Sequence, residues 1–183
     1  EKLIEKTNAL KIGNVFEEGL KIRPLANEKQ LKNVLKYIEY GKEDGASLVY
    51  GGEQLTEDKF QQGYYVQPAI FTNVKPDHRI AKEEIFGPVV AVIEVDTYEE
   101  AIQVANDVEY GLAAAIVTDS LKIANRFTKD IQAGTVKVNR TTTGNLMNAP
   151  FGGLKKSSTS TFRESGRVGL EFFTQLKTVY IGY

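Results

Sequence analysis

Residues 88–139 read PVVAVIEVDTYEEAIQVANDVEYGLAAAIVTDSLKIANRFTKDIQAGTVKVN, and their periodicity decides the fold class. Residues 88–95 are an apolar run of the length of a buried strand. Thr97, with Glu100 three positions on, has the form of a capping box and predicts a helix through Asp107. Residues 112–117 make a second apolar run, Ser120 is placed to cap a helix through Lys129, and residues 134–139 make a third strand. Strand, helix, strand, helix, strand with short turns implies crossover connections and a mainly parallel sheet covered by helices. The expected class is α/β.

Toward the N-terminus, Leu31, Val34, Leu35 and Ile38 recur at helical spacing and predict a helix over residues 27–45. Asn27 can cap it, and Gln30 stands at the capping-box position. SLVYGG, residues 47–52, reads as a short strand closed by two glycines. GYYVQPAIFTNV, residues 63–74, reads as extended chain in which Pro68 forces an edge or a break. The opening EKLIEKTNAL has the look of an amphipathic helix already under way, which sets the expectation of a fragment, with processing or disorder as the alternatives.

Composition narrows the chemistry. With 23 Lys and Arg against 24 Asp and Glu, the net charge of −1 offers no basic surplus for neutralising nucleic-acid phosphates. The longest apolar runs, residues 89–93 and 112–117, fall far short of the roughly 20 residues that span a bilayer. A soluble chain that binds neither nucleic acid nor membrane is expected. No cysteine is present, so a thiolate nucleophile, a disulfide and a thiolate metal site are all excluded within these residues. His78 is the sole histidine, and between Asp77 and Arg79 it reads as a solvated loop residue. No metal site is expected. The alternation of strands and helices invites a dinucleotide site, but the turns DTYEE (96–100) and TDSLK (118–122) lack the glycines that let backbone approach a pyrophosphate.

Two segments remain to be explained. EEIFGP, residues 83–88, precedes the first strand of the repeating pattern; by spacing it is a strand-entry turn, and adjacent Glu83 and Glu84 cannot act together on one bond because neighbours diverge. At most one of them faces a site. Residues 140–166 are dense in Gly, Ser, Thr and Asn, which suits either a solvated linker with a basic patch at Lys155 and Lys156, or a functional loop. Leu146, Met147, Phe151 and Phe162 favour the functional loop, since a linker has no use for them. Residues 178–183, TVYIGY, have strand composition and need a sheet edge.

IAKEEIFGPVVAVIEVDTYEEAIQVANDVEYGLAAAIVTDSLKIANRF, QAGTVKVN, PFGGLKKSS, RESG and the terminal LKTVYI together resemble the NAD(P)-dependent aldehyde dehydrogenase superfamily from about LKIGN to the C-terminus. The loop TTGNLMNAPFGGLKKSSTSTFRESG is most similar to the branch holding α-ketoglutaric semialdehyde and pyrroline-carboxylate-type dehydrogenases. The resemblance implies an enzyme that attacks an aldehyde with a cysteine thiolate, passes hydride to NAD or NADP, and hydrolyses the thioester with a glutamate-activated water. That cysteine, glutamate and oxyanion-hole asparagine belong upstream of the matched region. No catalytic residue is therefore expected here, and the chain alone is expected to be inactive.

By the same resemblance, residues 1–173 correspond to a catalytic domain lacking its N-terminal part and nucleophile, and residues 174–183 to an oligomerisation strand. Glu84 falls on the glutamate that binds the nicotinamide-side ribose, Phe86 on the aromatic beside the nicotinamide, and Gln30 on a residue near that ribose, although Asn33 replaces a lysine found in some members. Phe151 falls on the aromatic of the substrate funnel. Arg140 either binds the distal carboxylate of a semialdehyde acid or is a surface arginine paired with an acid. The implied partners are a small-molecule aldehyde, an upstream dinucleotide-binding domain and further copies in a homodimer or homotetramer, in the cytoplasm. The competing expectation is a non-catalytic module of the same fold that associates through its terminal strand.

Overall fold

Asn27 opens the long N-terminal helix as its spacing predicts: its side-chain oxygen accepts from the Gln30 amide at 2.9 Å, satisfying one of the donors that a helix start leaves free. In the computed structural model, which describes residues 1–158 and 163–183, two compact units emerge, Glu1–Asp96 and Thr97–Tyr183.

The first unit holds helices α1 (Lys2–Asn8) and α2 (Glu28–Glu43), strands β1 (Ser47–Tyr50), β2 (Gln54–Leu55), β3 (Tyr65–Val66) and β4 (Ala69–Thr72), the short helix α3 (Arg79–Lys82) and strand β5 (Val89–Ala91). Leu31, Val34 and Ile38 form the buried stripe of α2 and pack with Val66, Ala69, Phe71, Val74 and Ile80. Gly41 continues the stripe, because a Cβ there would press into the Phe71 ring and Ile80. The sheet order is β1-β4-β5, antiparallel between β1 and β4 and parallel between β4 and β5. Pro68 lies in the break between β3 and β4.

The second unit holds α4 (Tyr98–Asn106), β6 (Tyr110–Gly111), β7 (Ala113–Ile116), α5 (Leu121–Asp130), β8 (Thr135–Val138), β9 (Leu154–Lys155) and α6 (Gly166–Phe172). Thr97 and Ser120 cap their helices by accepting from Glu100 and Ile123. Strands β7 and β8 pair in parallel through the α5 crossover. The α4 and α5 helices are joined by Asn106, whose side chain donates to the Asp130 carbonyl at 2.9 Å and accepts from the Gln132 amide at 2.8 Å.

The α/β class stands, with pairing that is mixed: β2–β3 and β6–β9 are antiparallel, and of the three strands expected in succession only β7 and β8 pair with each other, while β5 joins β4 in a separate sheet. A second difference concerns His78. It is 6% exposed, immediately before α3, and its Nδ1 accepts from the Lys75 amide at 3.3 Å. Ile80 seats α3 in the core and carries its neighbour inward, while Arg79 spends the flanking charge on Asp44 and Glu43. Residues 174–183 form no helix or strand within this chain. No described helix is long and apolar enough to cross a membrane.

Candidate functional site

In the first unit the EEIFGP turn is moored to α2 by side chains some fifty residues upstream. Gln30 Nε2 donates to the carbonyls of both Ile85 and Phe86, at 2.9 Å each, and Asn33 Nδ2 donates to Ile85 at 3.2 Å. Gln30 thus caps nothing with its side chain; the capping-box partner reaches across to the turn. Glu83 accepts from the Tyr37 hydroxyl at 2.6 Å, and Ile85 packs on the core. Gly87 lies so near Val34 that a Cβ would collide with its methyl groups. These attachments hold Phe86 at φ +56°, a left-handed conformation that costs a bulky side chain energy unless its surroundings impose it. The ring is left 76% exposed, beside the exposed Glu84. Gln30, Glu84 and Phe86 are therefore brought together, with Glu83 in a structural role.

In the second unit Arg140 follows a firm strand end. Asn139, at φ +53°, accepts from the Thr118 amide at 2.9 Å and donates to the Thr118 carbonyl at 3.0 Å. Beyond it the loop bounds a cavity of about 270 Å³ lined by β8 together with Arg140, Gly144, Leu146 and Phe151. Phe151 is fixed by a two-way backbone bridge to Glu164, at 2.6 and 2.7 Å. Leu146 and Met147 are exposed, and the expectation for Phe162 lies outside the described residues. Arg140 and Phe151 share this cavity. Among the described residues the lining contains two cations, Lys137 and Arg140, and no carboxylate.

The Lys155–Lys156 pair is no free basic patch. Lys155 Nζ donates to the carbonyls of Asn106 and Val108 at the end of α4, at 2.5 and 3.0 Å, and Lys156 pairs with Glu109 at 2.5 Å. Ser157 Oγ accepts from the Gly111 amide at 3.1 Å. Sequence reasoning missed the roles of Lys155 and Ser157, and Lys137 with them, because their partners are carbonyls and amides that carry no side-chain signature, and it missed the Lys156 pair because Glu109 lies far off in sequence. A lysine inside an apolar strand was the available signal for Lys137. Among the described residues no group of three His, Asp or Glu side chains is arranged to hold a metal ion.

The aldehyde dehydrogenase family model matches residues 1–179. The chain belongs to the aldehyde dehydrogenase family. It is 49% identical over 181 residues to an alpha-ketoglutaric semialdehyde dehydrogenase of Bacillus subtilis (strain 168), covering 99% of this chain and 37% of that one. An alpha-ketoglutarate semialdehyde dehydrogenase of Haloferax volcanii is 47% identical over 182 residues, covering 100% of this chain and 37% of that protein. Among solved structures, betaine aldehyde dehydrogenase from Staphylococcus aureus in complex with NAD+ superposes with TM-score 0.88 at 34% identity, covering 94% of this chain and 34% of that one. Mycobacterium tuberculosis aldehyde dehydrogenase complexed with NAD+ gives TM-score 0.88 at 39% identity, covering 98% and 36%. The chain thus spans about 37% of the length of these curated relatives.

Proposed function

We propose that this chain carries the nicotinamide end of the cofactor site and one wall of the substrate cavity in an enzyme that oxidises a semialdehyde acid to the dicarboxylate. The acyl group would be carried as a thioester on a cysteine outside these residues. The observation that carries the substrate class is the cavity beneath the 140–151 loop, where Lys137 and Arg140 stand without a carboxylate among the described lining residues. Such a wall attracts an anionic tail and opposes a cationic one, because like charges held together in a partly desolvated cavity repel. That favours the carboxylated aldehydes in the names of the semialdehyde relatives over the quaternary-ammonium aldehyde in the name of the betaine relative.

NAD or NADP, when bound, supplies the hydride acceptor. The first unit offers it groups that fit: the exposed Glu84 carboxylate can accept from a pair of ribose hydroxyls, and the exposed Phe86 ring presents an apolar face to a flat heterocycle. Gln30 has both amide hydrogens committed to the turn, so only its Oε1 remains for a ligand. No cysteine is present, and the chain by itself is expected to give no turnover. Its upstream partner would be a dinucleotide-binding domain, and residues 174–183 would pair with a second copy.

In the full-length enzyme, Arg140→Ala should raise KM for succinate semialdehyde by about tenfold, the loss expected when a charge-assisted contact disappears, while changing KM for butanal much less. Equal effects on both aldehydes would refute the acid-binding reading. NAD(P)H production by the 183-residue chain alone would refute the division of labour.

A further inference from the structure

Lys137 occupies a place where a lysine needs a reason. It lies within the four-residue strand β8, opposite Ala115 of β7, and is half-buried. Its ammonium is matched by three backbone oxygens, the carbonyls of Thr142, Thr143 and Gly144, at 3.1, 2.6 and 3.4 Å. An ammonium has three N–H donors, so all of them are engaged by one short stretch of loop. The three acceptors are consecutive, and drawing them to one point curls residues 142–144 back toward the strand that carries the lysine. Gly144 sits in that curl at φ +76°. The hydroxyls of Thr141 and Thr143, 3.1 Å apart, close the same turn. Because the partners are neutral carbonyls, the positive charge is cradled without being cancelled, in contrast to Lys156, which faces Glu109. Arg140 stands between strand and curl and lines the same cavity.

We propose that Lys137 is a positioning residue for the acid-binding end of the cavity: it folds the 140–146 loop so that Arg140 faces the substrate's carboxylate, and it adds an uncancelled charge behind it. This deepens, and rests on, the semialdehyde-acid reading above. A residue of similar length without a donor, such as Met, would leave three carbonyls without their common partner. Arginine, with its fan of N–H donors, should replace it in part.

Two measurements test the proposal. Hydrogen exchange on the 183-residue chain should show amides of residues 141–146 exchanging about tenfold faster in Lys137→Met, as local protection is lost, and nearer to wild type in Lys137→Arg. Unchanged exchange there would overturn the anchor. In the full-length enzyme, Lys137→Met should raise KM for succinate semialdehyde on the order of tenfold with a smaller effect on butanal, and the Lys137→Met/Arg140→Ala double variant should lose little beyond Arg140→Ala, because coupled groups are not additive. Equal losses on both aldehydes, or fully additive losses, would make Lys137 a structural residue only and overturn the proposal. Should the full-length protein oxidise neither aldehyde, the functional reading falls, and loosening of the loop in the exchange experiment would then mark Lys137 as an anchor without the proposed role in substrate selection.

Discussion

Arg79 shows how much a single side chain can bind together. Its guanidinium donates to both carboxylate oxygens of Asp44, pairs with Glu43 and stacks 3.7 Å from the Tyr40 ring centroid, while its backbone amide donates to Asp44 Oδ2 at 2.9 Å. Side-chain hydrogen bonds from Arg79, with its backbone hydrogen bond second, lower the Asp44 carboxyl from 3.8 to about 2. A depressed folded-state value means that the unfolded chain takes up the proton first as the solution is acidified. The contribution of Asp44 is therefore present above about pH 4 and is lost as pH falls toward about 2. Urea unfolding of wild type and Asp44→Asn should show midpoints that differ at pH 5 and converge at about pH 2. A constant difference across that range would show that the carboxylate's charge is not what stabilises the α2–α3 junction.

The same scale separates the two glutamates of the EEIFGP turn. Glu83 is occupied by Tyr37 and Glu84 is left facing outward, a division that adjacency alone could anticipate but not assign. What assigned it is the route of the backbone, which Gln30 and Asn33 set from the neighbouring helix.

At the scale of elements, helix starts were legible because a cap is a local device. Asn27, Thr97 and Ser120 each accept from the amide three residues ahead, within reach of a pattern read along the chain. Asn27→Ala should cost about 1 kcal/mol in chemical denaturation. It should also loosen the EEIFGP turn, since Gln30 stands in the first turn of the same helix. A cost without any change in amide exchange at residues 84–87 would show that the turn holds itself. Strands β6 and β9 were not legible: each has two residues, and the ladder that defines them joins Tyr110 to Lys155, far apart in sequence. Helix α6 was hidden by Gly166 and Gly169, which weaken the helical signal of an otherwise suitable segment.

At the scale of the molecule, the exposed apolar residues gather toward the C-terminus. Leu176, Val179, Tyr180, Ile181 and Tyr183 are all exposed, in a segment with strand composition and no ladder. Contiguous apolar surface with unpaired backbone groups favours association with another sheet edge. Light scattering of the purified chain should give a mass above the 20.3 kDa of one copy, and removal of residues 176–183 should reduce it. A monomer at high micromolar concentration would refute this.

By itself the sequence determined the α/β class, the capped helices, the parallel pairing across the α5 crossover, and the family to which EEIFGP and PFGG belong. These rest on periodicities and short motifs, whose physics acts within a few residues. Only the tertiary structure decided that His78 is buried, that Gln30 serves a turn some fifty residues away, that Lys155 closes the end of α4, and that Lys137 gathers three loop carbonyls. In each case the deciding partner is a backbone group or a packed helix brought near by the folded chain, and backbone groups are the same at every position of a sequence.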